Sequence, residues 1–174
     1  FVLVNAAGSG VGTATIQMVR NAGGVVIATA GSDKKLDLAK DLGARYGINY
    51  NKDNIKDSIM DITNNKGVDV CIEMVGGTVL QQSIEALAYN GRLATCGAHA
   101  GEKVELDIIE IFRKQITISG NHFSPKANNE KALNLVAHGI VKPIIAKNFP
   151  LSEMSEAHKL VASRDFFGKV VLEV

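Results

Sequence analysis

The sequence lacks most of the features that mark secreted, membrane and nucleic-acid-binding proteins. Its 174 residues include only two cysteines, Cys71 and Cys96, which cannot build a disulfide framework. The formal net charge is +1, so no global field attracts nucleic acid or an anionic membrane. No apolar run approaches the roughly 20 residues that a membrane-spanning helix needs. No charged segment precedes the apolar residues 1–7, as it would in a signal peptide. We therefore expect a cytoplasmic protein.

The motifs of several enzyme classes are also missing. The sequence contains no HExxH zinc motif and no GxSxG nucleophile elbow. None of its three tyrosines is followed by a lysine four residues later, which excludes the Tyr-x-x-x-Lys pair of short-chain dehydrogenases. Cys71 and Cys96 fall inside predicted strands, where a small buried apolar residue is the default. We expect no metal site within this chain.

What the sequence does contain is an alternation of short β-rich runs with stretches of helical period, the pattern of βαβ units. Strands are predicted at Phe1–Val4, Val25–Ala30, Tyr46–Asn49, Val68–Met74, Arg92–Cys96, Ile116–Ser119 and Gly168–Val174. Helices are predicted at about 11–22, 32–43, 55–62, 80–87, 126–138 and 152–163. Together these elements predict an α/β fold with a doubly wound parallel sheet of about six strands, the Rossmann fold.

A glycine-rich loop, Ala6–Gly12 (AAGSGVG), lies between the first predicted strand and the first predicted helix. A dinucleotide pyrophosphate needs close approach of the backbone and free N–H groups at a helix N-terminus. The strict GxGxxG spacing is met in neither register, and a tight strand-to-helix turn also favours glycine for purely structural reasons. The strand–loop–helix context favours a nucleotide site.

Many separated segments of the chain resemble the medium-chain dehydrogenase/reductase superfamily, above all its quinone oxidoreductase-like and zinc-type alcohol dehydrogenase branches. The matching residues are Ala7–Thr13 with Ile16 and Gln17, Ala28–Ser32 with Lys35, Gly67–Val70, Glu73 with Gly76 and Gly77, Gly91 and Arg92 leading to Gly97, Phe149–Leu151, Glu156–His158, and Phe167–Leu172. The resemblance covers essentially the whole chain.

The resemblance implies a two-lobed oxidoreductase in which the other lobe holds the substrate and, in the alcohol dehydrogenase branch, a catalytic zinc. Phe1 is not a start methionine and lies inside a predicted strand, so we expect this chain to be part of a longer protein. Residues 1–140 would form the dinucleotide-binding domain, and residues 141–174 would belong to the other, catalytic lobe. Without that lobe, the closing segment is expected to be poorly anchored or borrowed by another chain. The chain is expected to bind cofactor without turnover.

The resemblance also assigns residues to the parts of the cofactor. Ser9, Gly10 and Val11 would hold the pyrophosphate, and Ser32, Lys35 and Tyr50 would surround the adenosine ribose. The ribose and nicotinamide would be lined by Gly77, Gly97, Ala98, His99, Ala100, Asn121, His122 and Phe123. His99 and His122 each follow a predicted strand at its carboxyl end, where open α/β sheets bind ligands, although an ordinary loop histidine is equally compatible. No residue of the chain is assigned as the catalytic proton donor.

The end of the second predicted strand favours NADP(H) over NAD(H). An NAD-selective site places a carboxylate there to bind both ribose hydroxyls, whereas this strand ends at Ala30 and is followed by Gly31 and Ser32. Lys34 and Lys35 add two positive charges, and Lys35 is the better candidate for a 2′-phosphate because the resemblance places a basic residue there. The carboxylate of Asp33 is evidence against a preference for NADP(H). We expect it to face solvent or to help cap the helix.

The predicted function is therefore NADP(H) binding for hydride transfer to or from a small carbonyl, quinone, enone or alcohol. Two alternatives remain open: a non-catalytic nucleotide-sensing module, and an NAD-dependent alcohol dehydrogenase whose zinc ligands lie in the other lobe. The run Ile116–Ser119 has the character of an edge strand, which invites pairing with a second copy of the chain or is covered by a helix of its own. By resemblance we expect a homodimer that a proline at Thr117 would break.

Overall fold

The computed structural model describes residues 1–174 and contains a parallel sheet of six strands in the order β3-β2-β1-β4-β5-β6. The strands are β1 Val2–Val4, β2 Val26–Ala30, β3 Tyr46–Asn49, β4 Val68–Glu73, β5 Leu87–Thr95 and β6 Thr117–Gly120. This topology confirms the predicted doubly wound Rossmann fold. The strand order reverses between β1 and β4, so the carboxyl ends of these two strands frame the crevice in which such sheets bind ligands.

Helices alternate with the strands, and all but the helix Ile108–Arg113 lie close to the predicted positions. They are α1 Gly10–Asn21, α2 Asp33–Leu42, α3 Ile55–Ile62, α4 Gly77–Glu85, α5 Ile108–Arg113, α6 Lys126–Ala137 and α7 Met154–Ser163. Local chemistry sets the ends of α2: the Ser32 hydroxyl accepts from the Lys35 backbone N–H at 3.4 Å, and Gly43 ends the helix with a φ of 118°. None of the seven is long and apolar enough to cross a bilayer.

Each face of the sheet carries its own hydrophobic core. On one face Ile59 of α3 and Ile84 of α4 pack against the sheet with Leu3 and Ile27. On the other face α1 and α2 pack on Val4 and its neighbours. Because strands covered on both faces are apolar at successive positions, β2 is buried at all five of its residues.

Residues 141–174 hold a second, two-stranded parallel sheet of β7 Ile145–Pro150 and β8 Lys169–Glu173, with α7 between the strands in sequence. The expectation of a poorly anchored segment is wrong. The Gln17 side chain of α1 accepts from the Lys142 backbone N–H at 2.9 Å and donates to the Lys142 carbonyl at 3.0 Å. The Gly168 N–H donates to the Gly8 carbonyl at 2.8 Å, which joins β8 to the glycine loop.

The structure differs from the prediction at Leu87, at Cys96 and in two additional elements. Leu87 opens β5 opposite Val68 instead of ending α4, and the register then shifts before Val70 pairs with Arg92. The short helix α5 and the strand β7 were not predicted. Cys96 lies beyond the end of β5 and is exposed, not buried within a strand.

Candidate functional site

The glycine loop presents two unpaired backbone donors at the carboxyl end of β1. Ser9 caps α1, its hydroxyl accepting from the Gly12 N–H at 2.9 Å, and its carbonyl accepts from the Thr13 N–H at 2.9 Å. The N–H groups of Gly10 and Val11 find no acceptor within the protein. These donors stand at the positive end of a twelve-residue helix, an arrangement that favours an anion.

A lysine from the far end of the sequence lies across this helix terminus. Lys169 is the first residue of β8, and its stem crosses Gly10 so closely that a side chain at position 10 would collide with it. The Lys169 Nζ atom lies 3.1 Å from the point where a Cβ of residue 10 would stand. Lys169 forms no ion pair with a carboxylate of the chain. Its ammonium therefore adds a positive charge beside the free N–H groups.

The residues predicted to surround the ribose gather where β2 and β3 end. The Tyr50 side chain packs over Gly31, and Ser32 caps α2 beside it. The stem of Lys35 lies next to Gly8 of the glycine loop, and its ammonium donates to the Arg164 carbonyl. Lysine carries three donors, so two remain for a ligand.

Asp33 faces solvent, as expected, with 62% of its side chain exposed, but Ser32 and not Asp33 caps the helix. Its Oδ1 accepts from Nδ2 of Asn49 at 2.7 Å, and its Oδ2 pairs with Nζ of Lys52 at 2.5 Å. The hydrogen bond from Lys52, supported by the one from Asn49, lowers the pKa of the Asp33 carboxyl. The same hydrogen bond raises the pKa of Lys52. Both partners are therefore charged at neutral pH.

The loops predicted to line the nicotinamide are fixed to one another by the backbone. The Ala100 N–H donates to the Val75 carbonyl at 2.7 Å, and the Gly77 N–H donates to the Gly101 carbonyl at 3.1 Å. The Asn121 N–H donates to the Thr95 carbonyl at 2.8 Å and so continues the β5–β6 pairing. An open pocket of about 530 Å³ lies at this edge; its lining includes Gly97, Ala98, Asn121 and His122.

The remaining candidates at this end are exposed. The His122 and Phe123 rings meet edge to face with their centroids 4.2 Å apart, and Phe123 is 90% exposed. Neither His99 nor His122 forms a hydrogen bond within the chain through its ring. The structure thus brings all fourteen sequence-predicted residues to the carboxyl edge of the sheet, in three groups along it.

A buried carboxylate beneath these loops was not predicted to belong to the site. Glu73, the last residue of β4, is 0% exposed. Its Oε1 accepts from the backbone N–H groups of Val75 at 2.6 Å and Gly76 at 3.0 Å, and its Oε2 accepts from the Thr95 hydroxyl at 3.3 Å. Glu73 therefore ties the ends of β4 and β5 together. Its place three residues before the Gly76–Gly77 pair was the one signal in the sequence.

The chain contains no metal-binding cluster, and its buried cysteine, Cys71, does not suit a nucleophilic thiol. No three histidine, cysteine, aspartate or glutamate side chains gather closely enough to hold a metal. Burial raises the pKa of the Cys71 thiol, which keeps it protonated and unreactive. The free backbone donors and lysines fit a dinucleotide, whereas the zinc of the alcohol dehydrogenase branch has no ligand set in this chain.

Comparisons with known proteins agree with this geometry. The profile of a family described as zinc-binding dehydrogenase matches residues 10–138. The chain is 30% identical to a 2-haloacrylate reductase from Burkholderia sp, over 99% of this chain and 55% of that protein. It is 32% identical to quinone oxidoreductase-like protein 2 from Rattus norvegicus, over 99% of this chain and 52% of that protein.

A solved structure described as an NAD-dependent alcohol dehydrogenase superposes with a TM-score of 0.91 and 39% identity, covering 99% of this chain and 50% of that one. The chain thus spans about half the length of the relatives that it matches.

Proposed function

Because the chain belongs to the zinc-binding dehydrogenase family of the medium-chain dehydrogenase/reductase superfamily, we propose that it is the cofactor-binding domain of an NADP(H)-dependent oxidoreductase. The observation that carries the proposal is the pair of free N–H groups at the start of α1, faced by the Lys169 ammonium. A pyrophosphate is the anion that this end of a Rossmann sheet receives. The bound cofactor supplies the hydride chemistry, and this domain positions it.

The substrate is a small carbonyl, quinone, enone or alcohol that a second lobe holds. Residues 141–174 belong to that second lobe. The share of each relative that the chain spans supports this division, since roughly half of each lies outside the match. The domain alone binds cofactor and turns over nothing, because the substrate pocket and the proton donor belong to the other lobe.

NADP(H) is the proposed cofactor because the end of β2 offers lysines and no free carboxylate. Lys34 and Lys35 stand in the first turn of α2, and Asp33, the acidic residue of that turn, is paired with Lys52. NAD(H) is the second candidate, since one solved relative is described as NAD-dependent. An alcohol dehydrogenase of that kind would take its zinc from the other lobe.

NADPH is expected to bind this chain at least about tenfold more tightly than NADH, and Lys35→Ala is expected to remove most of that difference. A charge-assisted hydrogen bond to the 2′-phosphate contributes about 1.5–3 kcal/mol, or roughly 10- to 150-fold in affinity. Calorimetric titration of both cofactors measures the ratio. Lys34→Ala is the matched control, because it removes the same charge one residue away and should change the ratio less. Equal affinities, or tighter binding of NADH, would contradict the assignment.

We further propose that the chain forms a homodimer through the exposed edge of β6. All four residues of β6 are exposed, and the preceding helix α5 exposes Ile108 at 64% and Phe112 at 63%. Unpaired strand edges and apolar surface of this kind favour association. Two such edges can pair across a two-fold axis.

The strand register decides where a proline tests this dimer. The Asn121 N–H donates to the Thr95 carbonyl of β5. Successive N–H groups of a strand point to opposite sides, so the Thr117 N–H also faces β5. A proline at Thr117 would therefore remove a hydrogen bond of the sheet itself. The Ile118 N–H faces outward. Ile118→Pro is therefore expected to give monomers in sedimentation velocity, while Ile118→Ala, which loses only the side chain, keeps the dimer. A monomeric wild type, or a dimeric Ile118→Pro variant, would refute the interface.

A further inference from the structure

A carboxylate with one partner on each of its oxygens lies at the ribose end of the site, where an unpaired one would favour NADH. Asp33 is the first residue of α2 and directly follows Ser32, in the segment that faces the adenosine ribose in the proposed function. Each of its two oxygens already has a partner: Oδ1 accepts from Asn49 at 2.7 Å, and Oδ2 pairs with Lys52 at 2.5 Å. No oxygen of Asp33 is left without a donor.

The residues that hold the Asp33 carboxylate lie at the ends of β2 and β3. Asn49 is 5% exposed, and its Oδ1 accepts from the Asn51 N–H at 3.2 Å, which fixes its Nδ2 toward Asp33. The Asn51 side chain in turn donates to the Gly31 carbonyl at 2.8 Å. A chain of hydrogen bonds therefore runs from the end of β2 through Asn51 and Asn49 to Asp33, and Lys52 closes it from the solvent side.

We propose that Lys52 determines cofactor choice by neutralising Asp33 and holding its carboxylate away from the ribose, a role that rests on the proposed dinucleotide binding. A freed Asp33 accepts hydrogen bonds from the two ribose hydroxyls of NADH and repels the 2′-phosphate of NADPH. With Lys52 in place the pair carries no net charge, and Lys34 and Lys35 set the local potential. Lys52 is thus a positioning residue that acts on the cofactor through Asp33.

The proposal predicts a defined pattern in a double-mutant cycle. The set comprises the wild-type chain, Lys52→Met, Asp33→Asn and the double variant, each titrated calorimetrically with NADPH and with NADH. Lys52→Met is expected to shift the NADPH-to-NADH affinity ratio about tenfold toward NADH, whichever cofactor the wild type prefers. In the Asp33→Asn background the same substitution is expected to shift the ratio less than about twofold, because no carboxylate remains to be freed.

The fold should survive these substitutions, because Asp33 and Lys52 are each 62% exposed and exposed ion pairs contribute little to stability. Lys66→Met, which removes the same charge from an exposed site before β4, is the matched control and should leave the ratio unchanged.

Two outcomes overturn the inference while leaving the proposed function intact: an unchanged ratio in Lys52→Met, or an equal shift in the Asp33→Asn background, which would mean direct contact of Lys52 with the cofactor. A wild type that binds neither cofactor would overturn the proposed function, and this inference with it.

Discussion

Gly12→Ala is expected to lower the free energy of unfolding by about 3 kcal/mol and to abolish cofactor binding. A Cβ at position 12 would stand 2.5 Å from the Ala6 carbonyl oxygen and 2.8 Å from the Ala7 Cα. Both are backbone atoms, which cannot rotate away as a side chain can. Ala6 already has a φ of 47°, so the loop has little freedom to move. The start of α1 would have to shift, and with it the free N–H groups of Gly10 and Val11.

Urea unfolding and calorimetric titration measure the two effects. Gly120→Ala is the matched control, because no atom lies within 4 Å of the position of its Cβ. If the unfolding curves of Gly12→Ala and wild type coincide, helix α1 does not pack against Ala6 and Ala7 of the glycine loop as closely as described.

Glu73→Ala is expected to lower the free energy of unfolding by about 3 kcal/mol, because it leaves the N–H groups of Val75 and Gly76 without an acceptor. Glu73→Gln is the matched variant. Its amide oxygen can accept from both N–H groups, and its NH₂ can donate to the Thr95 hydroxyl, so a loss below about 1 kcal/mol is expected. Urea unfolding of both variants gives the difference, and equal losses would mean that these hydrogen bonds are not what Glu73 contributes.

Strong local signals made most of the sheet predictable from sequence. Buried parallel strands are apolar at successive positions, as β2 is, and glycine and serine mark the ends of α2. The two elements that were missed lack such signals. Helix α5 is only six residues long and buries none of them, so its apolar residues are too few to distinguish a helix from a strand by their spacing. Strand β7 buries only Phe149 and pairs only with β8. Short, exposed elements owe their conformation to neighbours that periodicity does not reveal.

The site residues that directly follow a strand could be predicted from the sequence. The contacts between residues far apart in the sequence could not. Ser9, Ser32 and the loops after β4, β5 and β6 all lie at the carboxyl edge, because parallel strands place their ends together. The pairing of Asp33 with Lys52 depends on the turn after β3, which no local pattern encodes. For the same reason the sequence indicated the exposure of Asp33 but not its partners Asn49 and Lys52.

The contact between Gly168 and Gly8 also sets an order of events during synthesis of the protein. Strand β1 and the glycine loop leave the ribosome among the first residues of this domain, and β8 with Lys169 among the last. The six-strand sheet can form from the earlier residues alone, since β6 ends at Gly120. The nascent sheet therefore carries an anion site that has its backbone donors but not its lysine. On the proposed function, the dinucleotide is therefore expected to bind more tightly once β8 has been translated and has docked.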